Sequence, residues 1–368
     1  MIHLILGTKA QFIKTAPVIL ELEKRSIDYN FIDTGQHAEI TTNILEIFRL
    51  RAPDIKLFES NKSISSLSES IKWAIKILLP AIIFRNRFFQ RVFKGEPGVC
   101  LIHGDTASTL LGLVLAKLCG IKVAHLESGL RSKSFFDPFP EELIRHTVCR
   151  YSDILFATSK WAYENLSQLT FSGEKFDVGG NTILESIDIV LDHEPSYKPS
   201  TKEYIVLTIH RFETITSKKR LQFVVELIED LAQDHHIIFV MHPPTEKKFS
   251  HYGLLPRLKV VSDLEILPLL DYVSFVHIIR NASHVITDGG SIQEECSYLG
   301  EPCLLLRKRT ERIDGVGENV VISGFNKNQV KEFFQNPSTQ ARKIKEDKEH
   351  PSKKIVDVLV SYNQKCSL

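Results

Sequence analysis

The sequence lacks several features that would point to particular classes of protein. Its net charge is only +1, which gives no reason to expect a nucleic-acid partner. Its six cysteines contain no Cys-x-x-Cys pair, so we expect reduced, buried thiols in a cytoplasmic protein. No basic segment precedes the first apolar run, and we therefore interpret that run as a core strand and not as a signal peptide.

Motifs of several enzyme classes are also missing. There is no Gly-x-Ser-x-Gly, the signature of many serine hydrolases. There is neither a Gly-x-Gly-x-x-Gly nor a P-loop, so sites of the usual dinucleotide and ATP types find no support. The histidines form no helical His-x-x-x-His pair and have no cysteine partner, and we expect no metal site.

Strand and helix patterns alternate along the whole chain, as is typical of an α/β fold with parallel sheets. The chain has 368 residues, which is long for one core, and a polar, proline-bearing stretch at 192–203 interrupts the alternation. We predict two doubly wound, Rossmann-like domains facing each other across a cleft, at 1–192 and 204–342, and a tail at 343–368 that packs back on the first. Strands are predicted at 2–6, 29–33, 99–103, 122–126, 153–158, 204–210, 236–241, 258–261, 283–287 and 302–306.

Two carboxylates follow neighbouring apolar runs in the first half of the chain. Asp105 follows the run at 99–103, and Glu127 ends the run at 123–127. Ligands of open α/β sheets bind outside the carboxyl ends of the strands, so both acids are predicted to point at one crevice. An isolated buried carboxylate is costly, and we interpret this pair as functional, together with Glu141 in Pro-Phe-Pro-Glu-Glu.

Glycine turns after two strands suggest sites for anions. Gly7-Thr8-Lys9 opens a helix that contains Lys14, although an ordinary strand–helix turn would look the same. In the second half, Asp288-Gly289-Gly290-Ser291 follows a strand, and its free N–H groups and serine hydroxyl are suited to a diphosphate. Glu295 is placed to accept hydrogen bonds from ribose hydroxyls, or to act as the acidic first turn of a helix.

Cations and one histidine follow other strands of the second half. His210-Arg211 ends its first strand, where a histidine can act as an acid or base and an arginine can pair with phosphate. A structural histidine is the alternative interpretation. Arg307 follows another strand and adds a further cation.

Taken in order, these segments resemble the UDP-N-acetylglucosamine 2-epimerase family, whose fold is that of the GT-B glycosyltransferases. The spacing of Glu127 and Glu141 is similar to that of the non-hydrolysing branch. The matching segments are Gly7-Thr8, Lys14, Ala16-Pro17, Thr34-Gly35-Gln36-His37, Gly104-Asp105-Thr106, His125-Leu126-Glu127-Ser128-Gly129-Leu130-Arg131, Pro138-Phe139-Pro140-Glu141-Glu142, His210-Arg211, Glu213, Thr287-Asp288, Gln293-Glu294-Glu295 and Thr310-Glu311-Arg312.

The resemblance implies conversion of UDP-N-acetylglucosamine to UDP-N-acetylmannosamine by elimination and re-addition of UDP, without a cofactor, to supply a surface polysaccharide. A cytoplasmic homodimer is expected. The implied acid–base residues are Asp105, Glu127, Glu141 and His210. The implied binding residues are Phe275 under the uracil, Gly289, Gly290 and Ser291 on the phosphates, Glu295 on the ribose, and the cations Lys9, Lys14, Arg131, Arg211 and Arg307.

Some positions depart from the family pattern. The usual Gly-Thr-Arg-Pro-Glu is Gly7-Thr8-Lys9-Ala10-Gln11, the usual Asp-Ser-Gly-Gly is Asp288-Gly289-Gly290-Ser291, and the glutamines of the allosteric substrate site are missing from 40–44. The alternatives are a 2-epimerase for a modified sugar of the diacetamido uronic acid type, a GT-B-like glycosyltransferase, and a non-catalytic nucleotide-sugar-binding protein. Retention of the three carboxylates and His210 favours an epimerase.

The stretch at 72–94 contains six cations and no acid, and the family resemblance does not explain it. One interpretation is a helix, kinked at Pro80, that packs on the first domain with its cations in water. The other is a peripheral contact with an anionic membrane, made by aromatic residues that partly face outward. These aromatic residues are Trp73, Phe84, Phe88, Phe89 and Phe93.

Overall fold

The computed structural model describes residues 1–36, 38–59, 67–132, 140–199, 203–335 and 350–366. The chain divides into two compact units: Met1–Ile189 with Lys348–Leu368 form the first, and Val190–Asp347 the second. Each unit is an α/β domain built on a parallel sheet, which confirms the predicted fold class. His37 and Pro138-Phe139 of the family-like motifs lie outside the described residues.

Within the described part of the first unit, seven parallel strands form one sheet in the order β3-β2-β1-β4-β5-β6-β7. The central strands are mostly apolar and are buried along their whole length, because helices cover both faces of a parallel sheet. The strands are β1 (Ile2–Leu6), β2 (Tyr29–Asp33), β3 (Ile55–Lys56), β4 (Val99–His103), β5 (Lys122–Ser128), β6 (Ile154–Ala157) and β7 (Glu174–Asp177).

The helices of the first unit connect these strands, and the last one returns from the C-terminal end of the chain. That helix, α16 (Pro351–Cys366), packs against α1 (Lys9–Lys24), and Ser352 Oγ donates to Glu185 Oε1 of α8 (Ile183–Leu191) at 2.6 Å. The others are α1 (Lys9–Lys24), α2 (Ala38–Ile47), α3 (Leu67–Ile83), α4 (Arg85–Val92), α5 (Ala107–Leu118), α6 (Glu141–Tyr151), α7 (Lys160–Ser167) and α8 (Ile183–Leu191).

The sheet of the second unit has the order β10-β9-β8-β11-β12-β13 among the described residues. Its strands are β8 (Ile205–Thr208), β9 (Ile237–Val240), β10 (Leu264–Leu267), β11 (His284–Thr287), β12 (Cys303–Leu305) and β13 (Val320–Ile322). Its helices are α9 (Phe212–Ile215), α10 (Lys218–Leu231), α11 (Pro243–His251), α12 (Leu255–Lys259), α13 (Tyr272–Arg280), α14 (Gly290–Leu299) and α15 (Lys327–Gln335).

The strand predicted at 258–261 is wrong. The first half of this segment is the end of α12, and the second half follows that helix. The second residue of α12 is Pro256; proline in a first helical turn has its φ fixed at a helical value and loses no helical hydrogen bond. The strand lies later, at β10, where it pairs with β9. Three short strands were not predicted, and β7 shows why: its sequence Glu-Lys-Phe-Asp has no apolar run to reveal it.

The cationic stretch forms α3 and α4, with a break at Phe84. The membrane interpretation placed five aromatic side chains partly outward, and for Trp73 and Phe93 this is wrong, because both are buried in the core of the first unit. Trp73 Nε1 also donates to the carbonyl of Thr34 at 3.0 Å. No helix in the described residues has both the length and the apolar character needed to span a bilayer.

Candidate active site

The predicted site residues lie near the points where each sheet changes its winding direction. In the first unit this point lies between β1 and β4, and Gly7 and Gly104 directly follow these two strands. In the second unit it lies between β8 and β11, and His210 and Gly289 lie just after the ends of these two strands. Ligands of doubly wound sheets bind at such points, because the loops diverge there and leave a crevice.

Glu127 is buried at the end of β5 and is held by groups from two other elements. Lys14 Nζ of α1 donates to Glu127 Oε1 at 2.7 Å, and Asn181 Nδ2 donates to the same oxygen at 3.0 Å. His103 Nε2, at the end of β4, lies 3.7 Å from Oε2. Lys14 was predicted as a cation for an anionic ligand, and its ion pair with Glu127 was not predicted, nor were the contacts of Asn181 and His103.

The backbone at Glu127 is strained. Its φ is +60°, and the pairing of β5 with β6 shifts register between Leu126 and Ser128. A bulge of this kind re-aims the side chain, and a left-handed non-glycine residue costs about 1–3 kcal/mol. Such a cost persists where the surrounding structure holds a functional group in place, which agrees with a chemical role for this carboxylate.

Asp105 belongs to a second network of alternating charges. Arg145 of α6 donates to Asp105 Oδ2 and to Glu142 Oε2, and Arg131 Nε donates to Glu142 Oε1 at 2.6 Å. Glu142 is fully buried, while Asp105 keeps about a quarter of its side chain exposed. Glu141 begins α6 beside Glu142. Asp105 thus has a fixed cationic partner, Arg145, and keeps access to solvent.

His125 holds the loop that carries Asp105 through a hydrogen bond to the backbone of Gly104. The ring Nε2 lies 2.7 Å from the carbonyl oxygen of Gly104, which can only accept, so Nε2 carries the hydrogen. Burial lowers the pKa of His125 to about 4, and the ring is neutral at pH 7. Its other nitrogen, Nδ1, lies 3.5 Å from Cys149 Sγ. His125 is therefore a support for the loop, one strand away from the carboxylate.

The turn after β1 is tied to the same loop through Gln11. Its Oε1 accepts from the N–H of Gly7 at 2.9 Å and of Thr8 at 3.1 Å, and its Nε2 donates to the His103 carbonyl at 2.7 Å. Lys9 is half-buried at the start of α1. A glutamate, usual at position 11 in the family, could not donate to a carbonyl while ionised.

In the second unit, Asp288 joins the ends of β8 and β11. Its Oδ1 accepts from the His210 N–H at 3.0 Å and its Oδ2 from the Arg211 N–H at 3.1 Å. The His210 ring stacks on His242 with centroids 4.5 Å apart, and a Cβ at Gly289 would come within 2.8 Å of His210 Cε1. Burial lowers the pKa of His210, against the opposing influence of Asp288.

Glu311 forms ion pairs with two of the predicted cations. Arg307 Nη2 lies 2.8 Å from its Oε2 and Arg211 Nη1 lies 3.6 Å from its Oε1. Burial alone would raise the pKa of Glu311, but Arg307 and Arg211 outweigh it and lower the pKa to about 2. Arg307 Nη1 is buried without a hydrogen-bond partner among the described residues. Buried N–H groups without a partner are uncommon in native structures, so this one marks a candidate contact for an anionic ligand.

The remaining predicted residues lie on α13 and α14. Tyr272 donates to Glu295 Oε1 at 3.2 Å, and burial raises the pKa of Tyr272 well above its usual value. Phe275 lies three residues further along α13 and is half-buried. Ser291 is half-buried in the first turn of α14, after Gly289 and Gly290. The contact between Tyr272 and Glu295 was not predicted.

A family model described as UDP-N-acetylglucosamine 2-epimerase matches residues 20–360. The chain belongs to the UDP-N-acetylglucosamine 2-epimerase family. The resemblance drawn from the motifs is thereby confirmed, and the match covers most of both units.

Members of this family with similar sequences are found in archaea and bacteria. The UDP-N-acetylglucosamine 2-epimerase of Methanocaldococcus jannaschii is 33% identical over 334 residues, which are 87% of this chain and 88% of that protein. The Bacillus subtilis enzyme of the same name is 28% identical over 322 residues, 85% of this chain and 80% of that one.

Solved structures of the family have the same fold. The M. jannaschii epimerase in complex with UDP-GlcNAc and UDP has a TM-score of 0.82 at 30% identity and covers 98% of this chain and 99% of its own. The Neisseria meningitidis epimerase bound to UDP-GlcNAc has a TM-score of 0.80 at 25% identity, with coverage of 98% and 99%. These folds support the two-domain GT-B-like class.

Sequence reasoning missed several supporting residues of the family site in this chain. Arg145 falls three residues after Glu142 on one helix, a spacing that signals an ion pair. Asn181-Thr182 directly precedes an apolar helical pattern, which is a signal for a helix cap. His103 and Tyr272 had no such signal, because their partners are distant in sequence.

Proposed function

We propose that this protein is an isomerase that interconverts UDP-N-acetylglucosamine and UDP-N-acetylmannosamine and so supplies a precursor of a surface polysaccharide. The observation that carries the proposal is the pair of carboxylates at the ends of the adjacent strands β4 and β5. Asp105 is held by Arg145 and Glu127 by Lys14 and Asn181, within a chain that belongs to this epimerase family.

The chemistry proceeds by elimination and re-addition. A carboxylate removes the proton at C2 while UDP leaves C1 with the electrons of the C1–O bond, which forms a C1–C2 double bond. A proton then adds to C2 from the opposite face, and UDP adds back to C1. We assign the acid–base roles to Asp105, Glu127, Glu141 and His210. Protons and the leaving group balance over the two steps, and no redox cofactor is consumed.

Nucleotide binding is proposed to rest on the second unit. Gly289, Gly290 and Ser291 place the N–H groups at the start of α14 on the diphosphate, and Arg211 and Arg307 add positive charge. The buried Arg307 Nη1 supports this assignment. Phe275 is proposed to stack on the uracil, and Glu295 to accept from the ribose. Lys9, Lys14 and Arg131 are the substrate-binding cations proposed from the first unit.

Proton NMR of UDP-N-acetylglucosamine in D₂O tests the function directly. We expect deuterium to enter at C2 and a second set of signals, that of the manno epimer, to grow to equilibrium. Transfer of the sugar to an acceptor with release of UDP, and without exchange at C2, would identify a glycosyltransferase instead. Exchange with a diacetamido uronic acid derivative, and none with UDP-N-acetylglucosamine, would identify the modified-sugar enzyme.

We further propose that the protein is a homodimer formed through the outer face of α3, here called the α3 surface. Six large apolar side chains there are each more than half exposed: Ile71, Ile75, Leu79, Ile82, Ile83 and Phe84. Monomers rarely expose a contiguous apolar patch of this kind. All but Phe84, which directly follows α3, lie on one face of that helix. A two-fold-related copy offers the same row, so the surface is self-complementary.

The α3 surface can be tested by light scattering after gel filtration. The double variant Ile75→Asp with Leu79→Asp is expected to convert a dimer into a folded monomer. In the dimer the new aspartates of one copy would be buried against the same aspartates of the other, and like charges repel. The matched control is Val260→Asp, since Val260 is 82% exposed in the second unit. A wild-type monomer would overturn the dimer. Salt-sensitive flotation of that monomer with anionic vesicles, abolished in the double variant, would identify the α3 surface as a membrane contact instead.

A cytoplasmic location is proposed as well. It is supported by the free thiols of Cys100, Cys119, Cys149, Cys296 and Cys303, four of which are buried.

A further inference from the structure

Asn181 has a side-chain amide whose orientation the structure determines. Its Oδ1 accepts a hydrogen bond from the Ile183 N–H at 3.1 Å. A backbone N–H can only donate, so the oxygen must face Ile183 and the NH₂ group must face the opposite way. That group lies 3.0 Å from Glu127 Oε1, and Asn181 is 1% exposed. The residue is thus both the cap of α8 and a donor to the buried carboxylate.

The start of α8 is hydrogen-bonded to α1, the helix that carries Lys14, the second donor to Glu127. Thr182 Oγ1 donates to the carbonyl of Lys14, and Ser186 Oγ donates to the carbonyl of Ile13 at 2.7 Å. Lys14 Nζ itself donates to Glu127 Oε1 at 2.7 Å. Two donors from α1 and from the start of α8 therefore converge on one oxygen, and hydrogen bonds between the two helices hold them at a fixed separation.

We infer that Asn181 is a positioning residue, which orients the Glu127 carboxylate and favours its ionised form for exchange of the C2 proton. The inference rests on the proposed function. A hydrogen bond to the charged form of a carboxylate stabilises that form, and a donor fixed by its own second bond loses little entropy in making it. Among the described residues, the charged or titratable groups near Glu127 include Lys14 from α1, His103 from β4 and the neutral His125 within β5.

The variant Asn181→Asp isolates this role. Aspartate keeps an oxygen acceptor for the Ile183 N–H, so the cap of α8 is preserved. It replaces the donor by an oxygen facing Glu127, and two carboxylates this close share a proton. We expect the acidic limb of the kcat/KM profile to move to higher pH by at least about one unit, and kcat/KM below that limb to fall about tenfold. UDP affinity should stay near wild type. Thermal stability should fall at neutral pH, because the second buried carboxylate has no cation of its own, so unfolding is measured beside the kinetics.

A matched variant, Asn181→Ser, keeps a cap but is too short to reach Glu127. We expect its kcat to fall with KM nearly unchanged. If both variants retained the wild-type kcat and pH profile, Asn181 would be a helix cap only and the inference would be wrong. Failure of the proposed function looks different: the wild-type protein itself would then incorporate no deuterium at C2.

Discussion

Replacing Glu127 by glutamine is expected to reduce turnover by a factor of about 10²–10⁴, the usual contribution of an acid–base group. The side chain keeps its shape and its contact with Lys14, but an amide can neither take up nor return the C2 proton. Asp105→Asn and Glu141→Gln should have effects of similar size. Affinity for UDP should remain within a few-fold of wild type, since the nucleotide site is assigned to other residues. Deuterium incorporation at C2 and calorimetry with UDP measure the two quantities.

The matched control is Glu164→Gln, a change to an exposed carboxylate on α7. It should leave both quantities unaltered. Thermal unfolding of each variant is needed, because Glu127→Gln leaves the ammonium of Lys14 without its charged partner, and an unpaired buried charge costs about 3–5 kcal/mol. Near-normal turnover in two of the three carboxylate variants would falsify the elimination mechanism on these residues.

Gly290→Val is expected to weaken UDP binding at least tenfold, which corresponds to about 1.4 kcal/mol. A Cβ at this position would lie 3.0 Å from Glu311 Oε1 and 3.3 Å from Arg312 Nε. Neither neighbour can move freely, since Glu311 is held by Arg307 and Arg312 Nη1 donates to Glu294 at 2.9 Å. The branched side chain must therefore displace the cations or cover the N–H groups of the turn. Calorimetry with UDP measures the change.

A graded series sharpens this experiment. Gly290→Ala should have a smaller effect than Gly290→Val, because a single methyl group requires a shift of only a few tenths of an ångström. Gly180→Ala is the control: a Cβ at Gly180 has no neighbour within 4 Å. Unchanged UDP affinity in Gly290→Val, with its fold intact, would remove the turn from the nucleotide site.

The sequence was most informative about the ends of the buried strands. Asp105, Glu127 and His210 could be placed because each follows a continuous apolar run, and the carboxyl ends of parallel strands meet at one edge of a sheet. The same reasoning failed at 258–261, where a short apolar run is compatible with either a strand or a helix, and Pro256 favoured the helix. It also missed β7, an edge strand with a polar sequence.

The sequence by itself determined the alternating α/β architecture, the family and the positions of the main candidate residues, because periodicity and local motifs are encoded over short separations. Only the tertiary structure decided which partner each charge has. Arg145 bridges Asp105 and Glu142, Asn181 meets Glu127 across 54 residues, and Trp73 faces the core although its helix also carries the exposed α3 surface. Such pairings depend on how the strands and helices pack, and packing brings together residues whose spacing along the chain carries no signal.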